Sequence, residues 1–262
     1  TGRHIVYNAL VNKDGYYEMN FEQLEMQAKD PKTKLILVCS PQNPSGRLWT
    51  KEELTRMGNI CIDNGVKVVV DEIHSDLILT DREFVSFATI SDKFAQNSII
   101  CTSPSKSFNV AGLLVSDIII PNDEMRAAFQ EKMQPYYLWP GAFGAVAQIA
   151  AYNESEEWLE ELKEYLRGNA QFIADFIQKR MPKVKYRIPE ATYLGWLDFR
   201  AYGMTDQELW DFMCHKAKVA TDDGPKFGPN GEAGGFQRIN FSCPRAQLEE
   251  ALNRIAEALD AL

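Results

Sequence analysis

The run Val66-Lys67-Val68-Val69-Val70, followed at once by Asp71-Glu72-Ile73-His74-Ser75-Asp76, decides the fold class. Its apolar residues hardly alternate with polar ones, so both faces of the strand they form are covered, as in a parallel sheet. A strand-end aspartate more often caps a helix or pairs at the surface than binds a ligand. After a strand this apolar, however, Asp71 needs a cationic partner.

Upstream, Thr50 with Glu53 forms a capping box that opens a helix reaching about Asn64-Gly65. Leu54, Met57 and Cys61 mark its apolar side at spacings of three and four. Residues 34–39 form another apolar run of strand length. It ends in Ser40-Pro41-Gln42-Asn43-Pro44-Ser45-Gly46, a loop rich in turn formers. Earlier still, Asn20 caps a short helix over residues 21–28, Asp14-Gly15 is a turn, and residues 3–7 read as a strand.

Downstream, residues 98–102 repeat the buried-strand pattern and end at Ser103-Pro104-Ser105-Lys106-Ser107-Phe108-Asn109-Val110-Ala111-Gly112. A further strand is expected over residues 113–120, closed by Pro121. Strands alternating with helices imply an α/β fold with a mainly parallel sheet, helices on both faces, and ligands outside the carboxyl ends of its strands. Asn43, the 71–76 cluster and the Ser103 to Lys106 turn each follow a strand, so they can face one crevice. Lys106 is either an exposed loop lysine or, if burial lowers its pKa, an amine able to form a Schiff base, with nearby hydroxyls to hold a phosphate.

The second half has a different character. A helix over 123–133 leads to an aromatic, glycine-rich passage at 135–144 and a helix over 145–152. Residues 156–180 form a long amphipathic helix with Trp158, Leu162, Tyr165, Leu166, Phe172 and Phe176 as core contacts. Its length suits a link between domains. Strands are expected at 183–188, 193–199, near Val219 and at 236–241, with helices at 205–215 and 244–262. The expected division is therefore a large domain over 1–155, a linking helix over 156–181, and a small α+β domain over 182–262. Asp222 to Gly235 is glycine-rich and suits a mobile lid.

Composition narrows the function. A chain of 262 residues buries one large core or two smaller ones. A net charge of −9 argues against a sequence-independent hold on nucleic acid or on an anionic membrane, which needs clustered basic residues. The five cysteines are scattered without a C-x-x-C pair, so neither a disulfide framework nor a metal site is expected. No signal peptide opens the sequence and no apolar stretch approaches the ~20 residues that span a bilayer. A reducing cytoplasm is the expected setting.

Four motifs in order carry a resemblance over essentially the whole chain: Asn43-Pro44-Ser45-Gly46-Arg47, the 71–76 cluster, Ser103 to Asn109 with Ala111-Gly112-Leu113, and Arg238-Ile239-Asn240. Together they resemble the fold-type I pyridoxal-phosphate enzymes of the aminotransferase class I/II superfamily, and within it the cystathionine β-lyase-like C–S lyases of the MalY/PatB type. The resemblance implies a PLP-transferase-like three-layer fold, pyridoxal 5′-phosphate as cofactor, and a homodimer. It implies that Lys106 is the Schiff-base lysine and Asp71 the partner of the pyridine nitrogen. Asn43 is similar to the asparagine that reaches the ring's 3′-oxygen and lies by the substrate. His74 stands where many aminotransferases carry a tyrosine for that oxygen. Ser103 and Ser105 resemble phosphate-binding hydroxyls, and Arg238 resembles the clamp on the substrate α-carboxylate.

Two departures stand out against that family pattern. Leu114 occupies the position of an arginine that neutralises the phosphate in related aminotransferases. The family's amino-terminal segment, with its phosphate-cradling glycine loop and ring-stacking aromatic, has no counterpart in this N-terminally truncated pattern. The expected activity is a C–S β-lyase that cleaves L-cystathionine or related cysteine S-conjugates to thiol, pyruvate and ammonia. An aminotransferase, or a catalytically silent fragment of such an enzyme, is the alternative.

Overall fold

The structure is a computed structural model that describes residues 2–228 and 230–262. In chain order, the hairpin β1 (Val11–Lys13) and β2 (Tyr16–Glu18) precedes α1 (Phe21–Lys29) and β3 (Leu35–Cys39). Next come α2 (Lys51–Asp63), β4 (Lys67–Asp71), α3 (Asp92–Ala95), β5 (Ser98–Thr102) and the single turn α4 (Pro104–Ser107). After β6 (Asp117–Ile119) the helices α5 (Asp123–Met133), α6 (Ala142–Glu154) and α7 (Glu156–Arg180) follow in succession. The remainder holds β7 (Lys185–Tyr186), β8 (Leu194–Asp198), α8 (Asp206–Asp211), β9 (Asp222–Asp223), β10 (Phe236–Asn240) and α9 (Arg245–Asp260).

The chain forms two compact units. One comprises residues 1–8, 19–42 and 48–161; the other comprises 9–18, 43–47 and 162–262.

In the first unit the sheet order is β3-β4-β5-β6. The first three strands are parallel, with Cys39 opposite Asp71 and Asp71 opposite Cys101. Val68 and Val70 of β4 are fully buried, as are Leu54 and Cys61 of α2. The capping box forms as its spacing predicts: Thr50 Oγ1 accepts from the Glu53 N–H and Glu53 Oε2 from the Thr50 N–H. Gly58 lets α2 settle on the stacked rings of Phe87 and Phe94, where a Cβ would lie 2.8 Å from the Phe94 ring.

Two strand expectations fail here. Residues 3–7 do not pair as a strand; the Tyr7 carbonyl is taken by Gln27 Nε2 and Asn8 reaches the Asn20 carbonyl, so side chains of the α1 region hold the segment instead. The strand expected over 113–120 shrinks to β6, which runs antiparallel to β5. Residues 111–113 form a 3₁₀ turn and Leu114 is left-handed (φ 51°), which keeps the chain at the C-terminal end of β5, so it re-enters the sheet from that end.

In the second unit an antiparallel sheet has the order β7-β8-β10-β9. The buried stripe of α7 is Leu166, Ala170, Ile173 and Ile177, rotated from the expected one: Trp158 and Tyr165 are nearly half exposed. Asn169, fully buried on the same face, explains part of the rotation. Its amide donates to the Phe241 and Cys243 carbonyls and its Oδ1 accepts from Arg245 Nε, so a polar side chain sits where the apolar pattern has none. Leu248, Leu252, Ile255 and Ala256 form the matching stripe of α9. The strand expected near Val219 is absent because the Val219 N–H closes the preceding π-helical turn on the Met213 carbonyl; pairing starts only at Asp222.

Candidate active site

Parallel pairing brings the carboxyl ends of β4 and β5 to the same end of the sheet, and with them Asp71 and the Ser103 to Lys106 turn. Asp71 is exposed, not buried as the apolar strand before it led us to expect. Water therefore removes the need for a cation in the folded chain. Its Oδ1 accepts the Ile73 N–H at 3.1 Å. The neighbouring Glu72 is the buried carboxylate, with 3% exposure, and His74 is buried to the same degree.

Lys106 is half-buried on α4, which begins with Pro104 at its first position and Ser103 as its N-cap. The turn is pinned on both sides of the lysine. Ser103 Oγ donates to the Val115 carbonyl at 2.7 Å and accepts from the Ser105 N–H at 3.1 Å. Ser107, fully buried, donates to Asp76 Oδ2 at 2.6 Å. The Ser103 and Ser105 hydroxyls also contact each other. A hydroxyl has one hydrogen to give; that of Ser103 goes to the Val115 carbonyl, so Ser105 is the donor in the contact between the two, and Ser105 must turn from Ser103 to donate to a phosphate. Around this turn, Tyr152 meets the Phe108 ring edge-on at 5.5 Å. Burial, then the charge of Asp76, pushes its phenol above the usual range, while a hydrogen bond with Thr102 pulls it back.

Asn43 and Arg238 meet within the second unit. Arg238 Nη1 donates to Asn43 Oδ1 at 2.9 Å, and Nη2 donates to Asp222 Oδ2 at 2.6 Å. The guanidinium lies 4.6 Å from the centre of the Phe227 ring. Asn43 is held by its own loop. Arg47, 3% exposed, pairs with Glu190 at 2.6 Å, donates to the Tyr17 carbonyl at 2.7 Å and lies over the Tyr16 ring. The glycine-rich stretch expected as a lid is packed at Gly224, where a Cβ would fall 1.9 Å from the Ala233 carbonyl oxygen, while residues 230–232 are exposed. Pro229 of that stretch lies outside the described residues.

Sequence reasoning missed Asp222, Asp76 and Ser107 as partners of the site residues. The last two stand inside the quoted motifs, beside residues to which roles were given. Asp222 carried no such signal, since its place opposite Arg238 depends on how β9 and β10 register.

The family model for aminotransferase class I and II matches residues 2–255. The chain is 46% identical over 259 residues to cystathionine β-lyase PatB of Bacillus subtilis, covering 98% of this chain and 66% of the relative. It is 34% identical over 251 residues to the protein MalY of Escherichia coli, covering 95% and 63%. Among solved structures, cystalysin from Treponema denticola, which contains a pyridoxal 5′-phosphate cofactor, superposes with a TM-score of 0.96 at 36% identity, covering 99% of this chain and 66% of that one. The chain thus spans about two thirds of the length of the curated relatives it matches.

Proposed function

Since the chain belongs to the aminotransferase class I and II family, we propose that the protein works as a pyridoxal-phosphate-dependent C–S β-lyase on L-cystathionine or related cysteine S-conjugates. The observation that carries this reading is the placement of Lys106 on the turn leaving β5, one strand over from Asp71 at the end of β4. The 46% identity to a cystathionine β-lyase favours elimination over amino transfer.

The donor set fits the cofactor. Asp71 has one oxygen on the Ile73 N–H, and no donor among the described residues reaches the other, which is free to accept from a protonated pyridine nitrogen. Lys106 supplies an amine on a braced turn, and Ser105 a hydroxyl beside it. Pyridoxal phosphate, when bound, supplies an electron sink for the negative charge left when a Cα proton departs. Lys106 then holds and moves that proton as a free amine. Arg238 anchors the α-carboxylate, with Asn43 holding Nη1 and fixing the plane of the guanidinium. His74, buried within the 71–76 turn, is the candidate for the ring's 3′-oxygen.

The reading extends to setting and assembly. No helix among the described residues is long and apolar enough to cross a membrane, and we place the protein in the cytoplasm. We expect a homodimer, because Tyr136, Tyr137, Trp139, Phe143 and Val146 expose between 67% and 85% of their surface in one stretch.

Adding pyridoxal phosphate, reducing with borohydride and mapping the modified residue should place the label on Lys106. Turnover of cystathionine should yield pyruvate and free thiol, and Lys106→Ala should lower it by about a hundred- to ten-thousandfold. A keto acid formed only in the presence of an amino acceptor would refute the lyase. Absence of both label and turnover would overturn the lyase and identify the chain as catalytically silent.

A further inference from the structure

Arg238 has a planar guanidinium whose Nε and Nη2 hydrogens lie along one edge, the edge that matches the two oxygens of a carboxylate. Only half of that edge is used. Nη2 is held by Asp222 Oδ2 at 2.6 Å, whereas Nε is buried and meets no acceptor among the described residues. Nη1, on the other side, is committed to Asn43. A buried donor left without a partner is costly, and a second carboxylate oxygen is the group that would satisfy it. Asp222 cannot supply one, because its other oxygen lies toward Lys226, 3.7 Å away.

We propose that Asp222 is an internal stand-in for a ligand carboxylate on Arg238: an incoming carboxylate takes Nε and Nη2 together and displaces Asp222 from Nη2. This deepens the reading of Arg238 as the carboxylate anchor and depends on it. The exchange replaces one hydrogen bond with a bidentate pair and satisfies Nε. Asp222 is not stranded by it. Its side chain is 45% exposed, so water solvates the released oxygen, and Lys226 remains as its counter-charge. Its position directly opposite Arg238 in the β9–β10 pairing keeps it close enough to return when the ligand leaves. Asp222 is therefore a positioning residue that keeps the guanidinium aimed and its charge balanced between ligands, and it sets how tightly a carboxylate is held.

The test isolates the carboxylate from cofactor chemistry by using propionate, which has no amino group. Binding to the full chain is followed at constant ionic strength by the fluorescence of Trp196, which pairs with Arg238 across β8 and β10. Asp222→Asn should tighten propionate about three- to tenfold, because the competing charge is gone while the side chain keeps its size; Asp222→Ser provides an independent replacement if the first variant folds poorly. Arg238→Gln should abolish binding in either background. Unchanged or weaker binding in the Asp222 variants, with binding lost in Arg238→Gln, would overturn the exchange alone. Binding undiminished in Arg238→Gln would overturn the anchor and the exchange together.

Discussion

Glu72 accepts the Phe87 N–H through Oε1 at 2.9 Å from a site with 3% exposure. Burial pushes its carboxyl above the usual range; the Phe87 N–H and the Ser86 hydroxyl pull it back, and the charge of Asp71 adds to the rise. The folded chain therefore holds this proton more readily than the unfolded one. Its contribution to stability is fully present below the ordinary glutamate range and is lost as pH rises through the elevated value. Urea unfolding followed from acid to neutral pH should show Glu72→Gln removing part of that decline. A variant with the same slope as the parent chain would rule Glu72 out as its source. At this scale the sequence was legible in kind but not in direction. The 71–76 cluster announced itself, yet burial fell on Glu72 and His74 while Asp71 stayed exposed. Burial alternates along β4 and on past its end, with Val68, Val70, Glu72 and His74 inward, so Asp71 falls with Lys67 on the outward face that an unbroken apolar run had masked.

Local rules carried most of the elements. Asn20 caps α1, the Thr50–Glu53 box opens α2, and α7 spans the residues its pattern marks, because each of these signals lies within a few positions of the structure it controls. The strands were harder. β6 and the stretch around Val219 were misjudged because a strand exists only where a partner meets it, and those partners are set by chain reversals far from the run itself. Gly46 shows how tightly one such reversal is specified. It has φ 68°, its carbonyl accepts the N–H groups of Glu190 and Ala191, and a Cβ would lie 2.3 Å from that of Pro189. Gly46→Ala combines a left-handed alanine with that overlap and should cost about 3 kcal/mol. Denaturant titration measures the loss; a change below a few tenths of that amount would show that the loop can move aside.

For the whole molecule, the aromatic stretch around Trp139 predicts behaviour that a fully covered surface would not show. Sedimentation of the chain should reveal concentration-dependent self-association, and Trp139→Ser with Phe143→Ser should shift it toward monomer. Equal sedimentation of parent and variant would remove this surface from the contact. Nothing local in residues 9–18 or 43–47 signals that they pack with residues 162–262, yet contacts assign them there. That interleaving has a consequence for biosynthesis. Lys185, which bonds Asp14, is made 171 residues later, so at about 5–20 residues per second the β1–β2 hairpin emerges roughly ten to thirty seconds before its partner. Arg47 likewise leaves the ribosome long before Glu190, the carboxylate that neutralises it in the folded interior. A nascent chain halted anywhere between these points carries a finished hairpin and a naked arginine with nowhere to dock, a state suited to capture by chaperones or proteases. Late stalls should thus be more damaging to this protein than their distance from Lys106 would imply.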